Sequence, residues 1–151
     1  MNIIQYKPEY QPHFERLNKA WLNKYFQVEP IDEWVLANPD EAILKEGGII
    51  LFAEYNKQII GTAALKFVQP GTYELTKMAV NEAFQGLGAG KLLCSAAVNE
   101  AKTTLKAERV ILYSQTVLKP AIGIYRKLGF TEIPLEKGVY KRADIKMELQ
   151  L

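Results

Sequence analysis

The sequence predicts a mixed α/β (α+β) domain, and three observations carry that prediction. Strand-like apolar runs crowd the middle of the chain, and segments with helical apolar spacing bracket them. A glycine-rich turn, Gln85 to Gly90, joins one of those strands directly to a helix.

The elements follow in order. Asn2 to Tyr6 reads as a short first strand. Phe14, Leu17, Trp21, Leu22 and Tyr25 recur at helical spacing, which predicts an amphipathic helix from about Pro12 to Tyr25. Pro30 and Pro39 punctuate two short helical pieces, Ile31–Ala37 and Asp40–Lys45, the second stopped by Gly47-Gly48. Ile49 to Tyr55 and Gln58 to Val68 form a β-hairpin about a tight Asn56-Lys57 turn. Pro70-Gly71 turns the chain into a third strand of this group, Thr72 to Val80. After the glycine turn, Leu92, Leu93, Ala96, Ala97 and Ala101 mark the apolar face of a helix over Gly90 to Leu105. Arg109 to Ser114 is apolar throughout its middle and suits a central strand. Pro120 to Leu128 is a helix ended by Gly129, the usual residue just past a helix terminus. Phe130 to Ile133 and Tyr140 to Leu149 close the sheet, with Ile145, Met147 and Leu149 facing inward.

Size and composition narrow the function classes. The chain of 151 residues suits a single domain, 1–151, and its 48% hydrophobic and 24% charged fractions are those of an ordinary globular protein. The net charge of +2 is spread over both signs, which speaks against nucleic acid and against an anionic membrane as partners. One cysteine, Cys94, and one histidine, His13, cannot assemble the usual zinc ligand sets, so no metal is expected. Cys94 sits in an apolar run and reads as core, and His13 as a surface helix residue. The N-terminus lacks the pattern of a secretory signal, so a cytoplasmic location is expected.

The glycine turn suits phosphate binding, with a purely structural turn as the competing reading. The first turn of a helix has free N–H groups and a partial positive charge, so an anion such as phosphate docks there. Gly86, Gly88 and Gly90 free the backbone for unusual angles, and Lys91 adds a positive charge. A P-loop requires Gly-Lys-Ser/Thr, but Gly90-Lys91 is followed by Leu92, so the magnesium-binding hydroxyl is missing. A dinucleotide fold places its glycines after the first strand of a βαβ unit, whereas three antiparallel-looking strands precede this turn.

These residues resemble the GCN5-related N-acetyltransferase (GNAT) superfamily over nearly the whole chain. That family's Gln/Arg-x-x-Gly-x-Gly/Ala signature is matched by Gln85-Gly86-Leu87-Gly88-Ala89-Gly90. Its second segment, Ala-x-x-x-Tyr-x-x-x-Gly-Phe, is matched by Ala121 through Tyr125 to Gly129-Phe130. The resemblance implies a mostly antiparallel sheet of six to seven strands, flanked by helices and splayed between the strands ending at Val80 and near Ser114. It implies acetyl-CoA, or coenzyme A, in that cleft as cosubstrate. Met78, Ala79 and Val80 would then pair with the pantetheine arm, while Gln85, Gly86, Leu87, Gly88, Ala89, Gly90 and Lys91 would hold the pyrophosphate.

Amine acetylation requires a base for the amine proton, a donor for the oxyanion and an acid for the departing thiolate. The resemblance makes Tyr125 the acid and points to Glu74 as the base, in the place of the glutamate of histone-type members. A plain surface carboxylate is the competing reading of Glu74, and a core aromatic that of Tyr125. The oxyanion donor would be a backbone N–H between Met78 and Val80. The chain departs from the family at Ser114-Gln115-Thr116, where many members carry asparagine, and Gln115 would supply the same amide from a longer stem. Lys119 reads as solvated, with a contact to cofactor phosphate as the alternative. The acceptor wall would include Trp21, Tyr25, Phe26, Glu29, Asp32 and Trp34, with Tyr140 and Arg142 opposite. A cationic amine would suit the aromatics, and a carboxylate on the acceptor would suit Arg142. The expected reaction is direct transfer to a primary amine of a small molecule. The alternatives are transfer to a protein amine, a longer acyl group, or a non-catalytic acyl-CoA-binding module. The last strand would offer an edge for a homodimer.

Overall fold

A computed structural model describes residues 1–151. One seven-stranded sheet has the order β1-β2-β3-β4-β5-β7-β6. β1 is Asn2–Gln5, β2 Ile49–Tyr55, β3 Gln58–Gln69 and β4 Thr72–Val80. β5 is Arg109–Ser114, β6 Thr131–Ile133 and β7 Ile145–Gln150. Every neighbouring pair is antiparallel except β4 and β5. Four helices flank it: α1 Gln11–Tyr25, α2 Pro30–Ala37, α3 Ala89–Thr103 and α4 Lys119–Lys127.

Two apolar layers sandwich the sheet. On one face α1 and α2 bury Phe14, Leu22, Val35 and Leu36 against Ile50, Phe52 and Ala64. On the other, α3 buries Leu93, Cys94, Ala97 and Ala101 against Leu51, Ala63, Leu65 and Leu75. Burying one such large side chain contributes about 1.5–3 kcal/mol. The alanines let α3 lie close to the sheet. A Cβ on Gly61 of β3 would stand 3.0 Å from Leu93 Cδ1, so a side chain there would press on the helix. That packing fixes where the N-terminus of α3 points.

The site owes its shape to two irregularities. β4 and β5 pair only from Thr72 with Arg109 to Glu74 with Ile111, and beyond that point the parallel strands part. The sheet is therefore splayed between its fourth and fifth strands, as the family resemblance implies. The β4 register against β3 also shifts between Thr62 and Ala64, which leaves Lys77 and Met78 opposite one residue. This is a β-bulge. Lys77 holds φ +55° within it, a conformation non-glycine residues adopt rarely.

Most helix and strand positions match expectation, and Asn56 and Lys57 both have positive φ, as a type I′ hairpin turn requires. Three features differ. The segment Asp40–Leu44 is a π-turn, closed by Lys45 N–H donating to the Asp40 carbonyl at 2.8 Å. The closing strand begins at Ile145 rather than Tyr140, because residues 134–144 leave the ladder, Tyr140 turning toward β4 and Arg142 toward α2 instead. β7 is also not the sheet edge expected of the last strand: β6 pairs with its outer side from Lys146 to Glu148. Of the three inward positions expected on it, Ile145 and Met147 are buried and Leu149 is only half-buried. No helix is long and apolar enough to cross a membrane.

Candidate functional site

The gap between β4 and β5 opens into a cleft of about 500 Å³. Its length divides into a glycine-lined end at the start of α3 and a polar, aromatic end under α1.

At the glycine end, Gly88 is the N-cap of α3 with φ +84°, and Gly86 has φ +87°. Both angles lie in the left-handed region, where a side chain costs about 1–2 kcal/mol. A Cβ at either position would meet no protein atom within 4 Å, so the glycines serve the backbone path and leave open space beside it. The first hydrogen bond of the helix runs from Leu92 N–H to the Gly88 carbonyl at 3.0 Å. The N–H groups of Ala89, Gly90 and Lys91 precede that bond and have no partner inside the helix. Gln85, Gly86, Gly88, Ala89, Gly90 and Lys91 all line the cleft, as do Met78, Ala79, Val80 and Gln115. Leu87 does not, since its side chain is half exposed on the outside of the turn. Lys119 is exposed and also lies outside the lining.

Tyr125 enters from α4 at the middle of the cleft. Its ring packs edge-on against Phe130 with centroids 5.9 Å apart, and the residue is 7% exposed. No protein group takes its hydroxyl, yet no buried polar side-chain atom lacks a partner, so the hydroxyl opens to the cleft. Burial, and secondarily the neighbouring Cys94, pushes its pKa up, so the phenol stays protonated at neutral pH. The Cys94 thiol is itself pushed up to about 12 by burial. It donates to Met78 Sδ at 3.0 Å and is a packing group.

Glu74 stands on β4 on the α1 face, just before the strands part. Only 6% of it is exposed, and Tyr140 Oη donates to its Oε2 at 2.8 Å. Burial raises its pKa, against opposing contributions from Tyr140, Lys66 and Lys77. Tyr140 is held protonated by burial and by Glu74, so it remains a donor.

Behind Tyr140 lies an ion network that no local sequence signal announces. Asp32, fully buried, is the N3 residue of a capping box whose N-cap is Glu29. Its carboxylate accepts from the Glu29 N–H and from Arg142 Nη1 on Oδ2, both at 3.0 Å. Arg142 Nη2 at 3.0 Å and Lys77 Nζ at 3.2 Å share Oδ1. Burial alone would raise the pKa of Asp32, but Arg142, the Glu29 amide and Lys77 outweigh it and hold it low. Lys77, aimed here by the bulge, has its pKa lowered by burial.

Of the expected acceptor residues, Trp21, Tyr25, Phe26, Tyr140 and Arg142 line the cleft, whereas Glu29, Asp32 and Trp34 do not. Glu29 is taken up by Arg142 Nη1 at 3.0 Å, and Trp34 is half exposed on the far side of α2. Lys77 and Asn18 line the cleft without having been expected there as charge or amide. Only the bulge explains Lys77, and a bulge has no dependable sequence signal.

Comparison with known proteins agrees with this fold. The sequence model of the acetyltransferase (GNAT) family matches residues 9–130. A curated N-alpha-acetyltransferase from Sulfurisphaera tokodaii is 35% identical over 66 residues, 44% of this chain and 40% of that protein. The aligned part thus spans about two-fifths of the length of that relative. Among solved structures, a GNAT-family acetyltransferase from Staphylococcus aureus Mu50 superposes with a TM-score of 0.86 at 22% identity, covering 99% of this chain and 98% of the other. A putative acetyltransferase from Salmonella typhimurium, solved with its cofactor acetyl-CoA, gives a TM-score of 0.78 at 23% identity, covering 99% and 93%.

Proposed function

This chain belongs to the acetyltransferase (GNAT) family, and we propose that it transfers the acetyl group of acetyl-CoA directly to a primary amine of a small molecule. One observation carries the reading: a single cleft joins the free N–H groups at the start of α3 to the Tyr125 hydroxyl and the Glu74 carboxylate. The residues fit the cofactor. Glycines at positive φ leave space, and amides without helical partners line it, as a pyrophosphate requires.

Bound acetyl-CoA supplies a thioester carbon open to attack by the amine. The edges of β4 and β5, separated beyond Glu74, leave room for the pantetheine arm beside Met78, Ala79 and Val80. Most of a free alkyl amine, with a pKa of about 10, is protonated at neutral pH. Glu74, ionised, takes a proton from the amine, directly or through water. The bulge leaves one β4 residue out of the ladder, so a backbone N–H near Met78 serves as donor to the developing oxyanion. Tyr125 gives its proton to the sulfur as the carbon–sulfur bond breaks and the carbon–nitrogen bond forms. Gln115 lines the same cleft and supplies an amide to the cofactor.

The test is thermal unfolding with and without acetyl-CoA, followed by an amine panel read by released thiol. Ligand at ~100 times its dissociation constant stabilises by about 2.7 kcal/mol, a rise of several degrees at this size. Tyr125→Phe should keep that rise and lose roughly 100-fold or more in kcat, with Glu74→Gln a loss of similar order. No rise with acetyl-CoA would sink the assignment. The name of the Sulfurisphaera relative favours a second acceptor, a peptide α-amine, so the panel includes short peptides.

A further inference from the structure

We infer that the acceptor carries a carboxylate as well as its amine: an amino acid with an apolar or aromatic side chain, its carboxylate held by Lys77 and Arg142. This rests on the acetyl-transfer reading above and concerns only the acceptor end of the same cleft.

The argument is a count of donors and acceptors. A carboxylate offers about four lone-pair sites, and Asp32 already accepts four hydrogen bonds, from Glu29 N–H, Arg142 twice and Lys77. Asp32 is saturated, and neither it nor Glu29 lines the cleft. Arg142 has five N–H donors, of which three are committed to Glu29 and Asp32. Its Nε–H has no protein acceptor and is not fully buried, on a residue that lines the cleft. Lys77 has three donors, one of them given to Asp32. The acidic partners thus fix the two cations in the cleft wall, and each cation keeps N–H groups not given to them. Glu74 is the one carboxylate lining this cleft, with Oε2 taken by Tyr140. The end is therefore rich in cationic donors, with a single carboxylate placed to receive the amine.

A second observation argues against a polycationic acceptor. Two of the acceptor-wall aromatics that would attract a further cation, Tyr25 and Tyr140, already have one beside them. Lys24 Nζ lies 5.2 Å from the Tyr25 ring centroid, and Arg142 Cζ and Lys77 Nζ lie 5.4 and 5.9 Å from that of Tyr140. What remains is an apolar wall. Trp21 stands 5.5 Å from Tyr25 and 5.4 Å from Phe26 by ring centroids, with buried Leu22 beside them. Such a wall suits the side chain of phenylalanine, tryptophan or leucine better than a polyamine.

The experiment measures kcat/KM by thiol release for matched pairs: phenylalanine against phenethylamine, tryptophan against tryptamine, leucine against isopentylamine. Spermidine and a C-terminally amidated peptide beginning with phenylalanine complete the panel. The carboxylate-bearing partner should be favoured at least about tenfold, the factor expected when one charge-assisted contact is lost. Lys77→Gln keeps the Asp32–Arg142 pair and should reduce that preference mainly through KM. Arg142→Lys tests the other cation without deleting its charge. A preference of one or less in every pair, or spermidine or the peptide as best substrate, overturns the inference. If acetyl-CoA still raises the melting temperature in that case, acetyl transfer stands and only the acceptor class falls. If acetyl-CoA does not bind, both fall together.

Discussion

The two ends of the cleft are built from different materials. The proposed cofactor end is backbone: glycines at positive φ, a helix N-terminus and a strand edge, all within Met78 to Lys91. The proposed acceptor end is side chains, and they come from α2, the β4 bulge and the segment before β7, over a hundred residues apart in the chain. Backbone recognition of a phosphate tolerates many side chains, so one cofactor site serves many sequences. A side-chain network is specific and interdependent, so substituting its buried anion disturbs the cations that the anion holds. The comparison implies that the two ends can be broken separately.

The largest effect should come from Asp32→Asn. Asparagine leaves Arg142 and Lys77 charged beside a fully buried position, and removing one partner of a buried ion network costs about 3–5 kcal/mol. At about 2–4 °C per kcal/mol the melting temperature should fall by roughly 10 °C. Acetyl-CoA should still stabilise the variant, because the glycine end is untouched. The pH dependence has a defined sign. Asp32 has a lowered folded pKa, so its stabilisation is present above its unfolded pKa and is lost as pH falls through the folded one. The variant should lack that acid-side slope. A variant as stable as its parent would show that the network is not a unit.

The complementary break is Gly88→Val. The left-handed φ of +84° costs stability, about 1–2 kcal/mol, but the larger loss should be acetyl-CoA affinity. Hydrogen bonds to a charged group contribute about 1.5–3 kcal/mol each, so losing one weakens binding on the order of 10- to 100-fold. Gly90→Ala separates the two causes. Its φ is not in the left-handed region and its Cβ would meet Ile124 Cδ1 at an ordinary 3.6 Å. Lost affinity there, measured by titration calorimetry with unchanged melting temperature, reports space reserved for ligand alone. Unchanged affinity in both variants would mean that the turn is structural.

The same division explains what the sequence could disclose. The glycine end was legible because its determinants are contiguous: a strand, a glycine signature and a helix start occupy one stretch, Thr72 to Leu93. Tyr125 was legible from a second local segment closed by Gly129-Phe130. The apolar periods of α1, α3 and β5 gave the layers. The acceptor end was half legible. Trp21, Tyr25, Phe26, Tyr140 and Arg142 were expected there, and they line the cleft. Their partners were not foreseen, because pairing Arg142 with Asp32 depends on the chain leaving the ladder before Ile145. Lys77 reads in sequence as an ordinary strand lysine, and only the register shift against Thr62 and Ala64 turns it onto the network. Glu29 and Trp34 were placed near the acceptor by the family resemblance, and the structure gives one to Arg142 and the other to solvent.

The smallest effect, and the one that best joins the ends, is a shift in a pH profile. Glu74 must be ionised to take the amine proton, so kcat/KM should rise with pH through its folded pKa, which burial sets above the ordinary glutamate value. Tyr140 donates to the ionised carboxylate and opposes that rise. In Tyr140→Phe this support is lost, so the pKa of Glu74 should climb further and the acid limb should move to higher pH. Glu74→Gln should remove the limb. The amine also titrates, so the profile is taken with two amines of different basicity, and the limb belonging to Glu74 is the one that stays put between them. Stability should respond in the opposite sense to Asp32. A carboxylate with a raised folded pKa stabilises below its unfolded pKa and loses that contribution as pH rises, so Glu74→Gln should melt higher than its parent at neutral pH. A base that costs stability while serving the reaction is what a functional carboxylate at this position requires. An acid limb indifferent to Tyr140→Phe, together with no gain in stability from Glu74→Gln, would return Glu74 to the role of a plain buried strand residue.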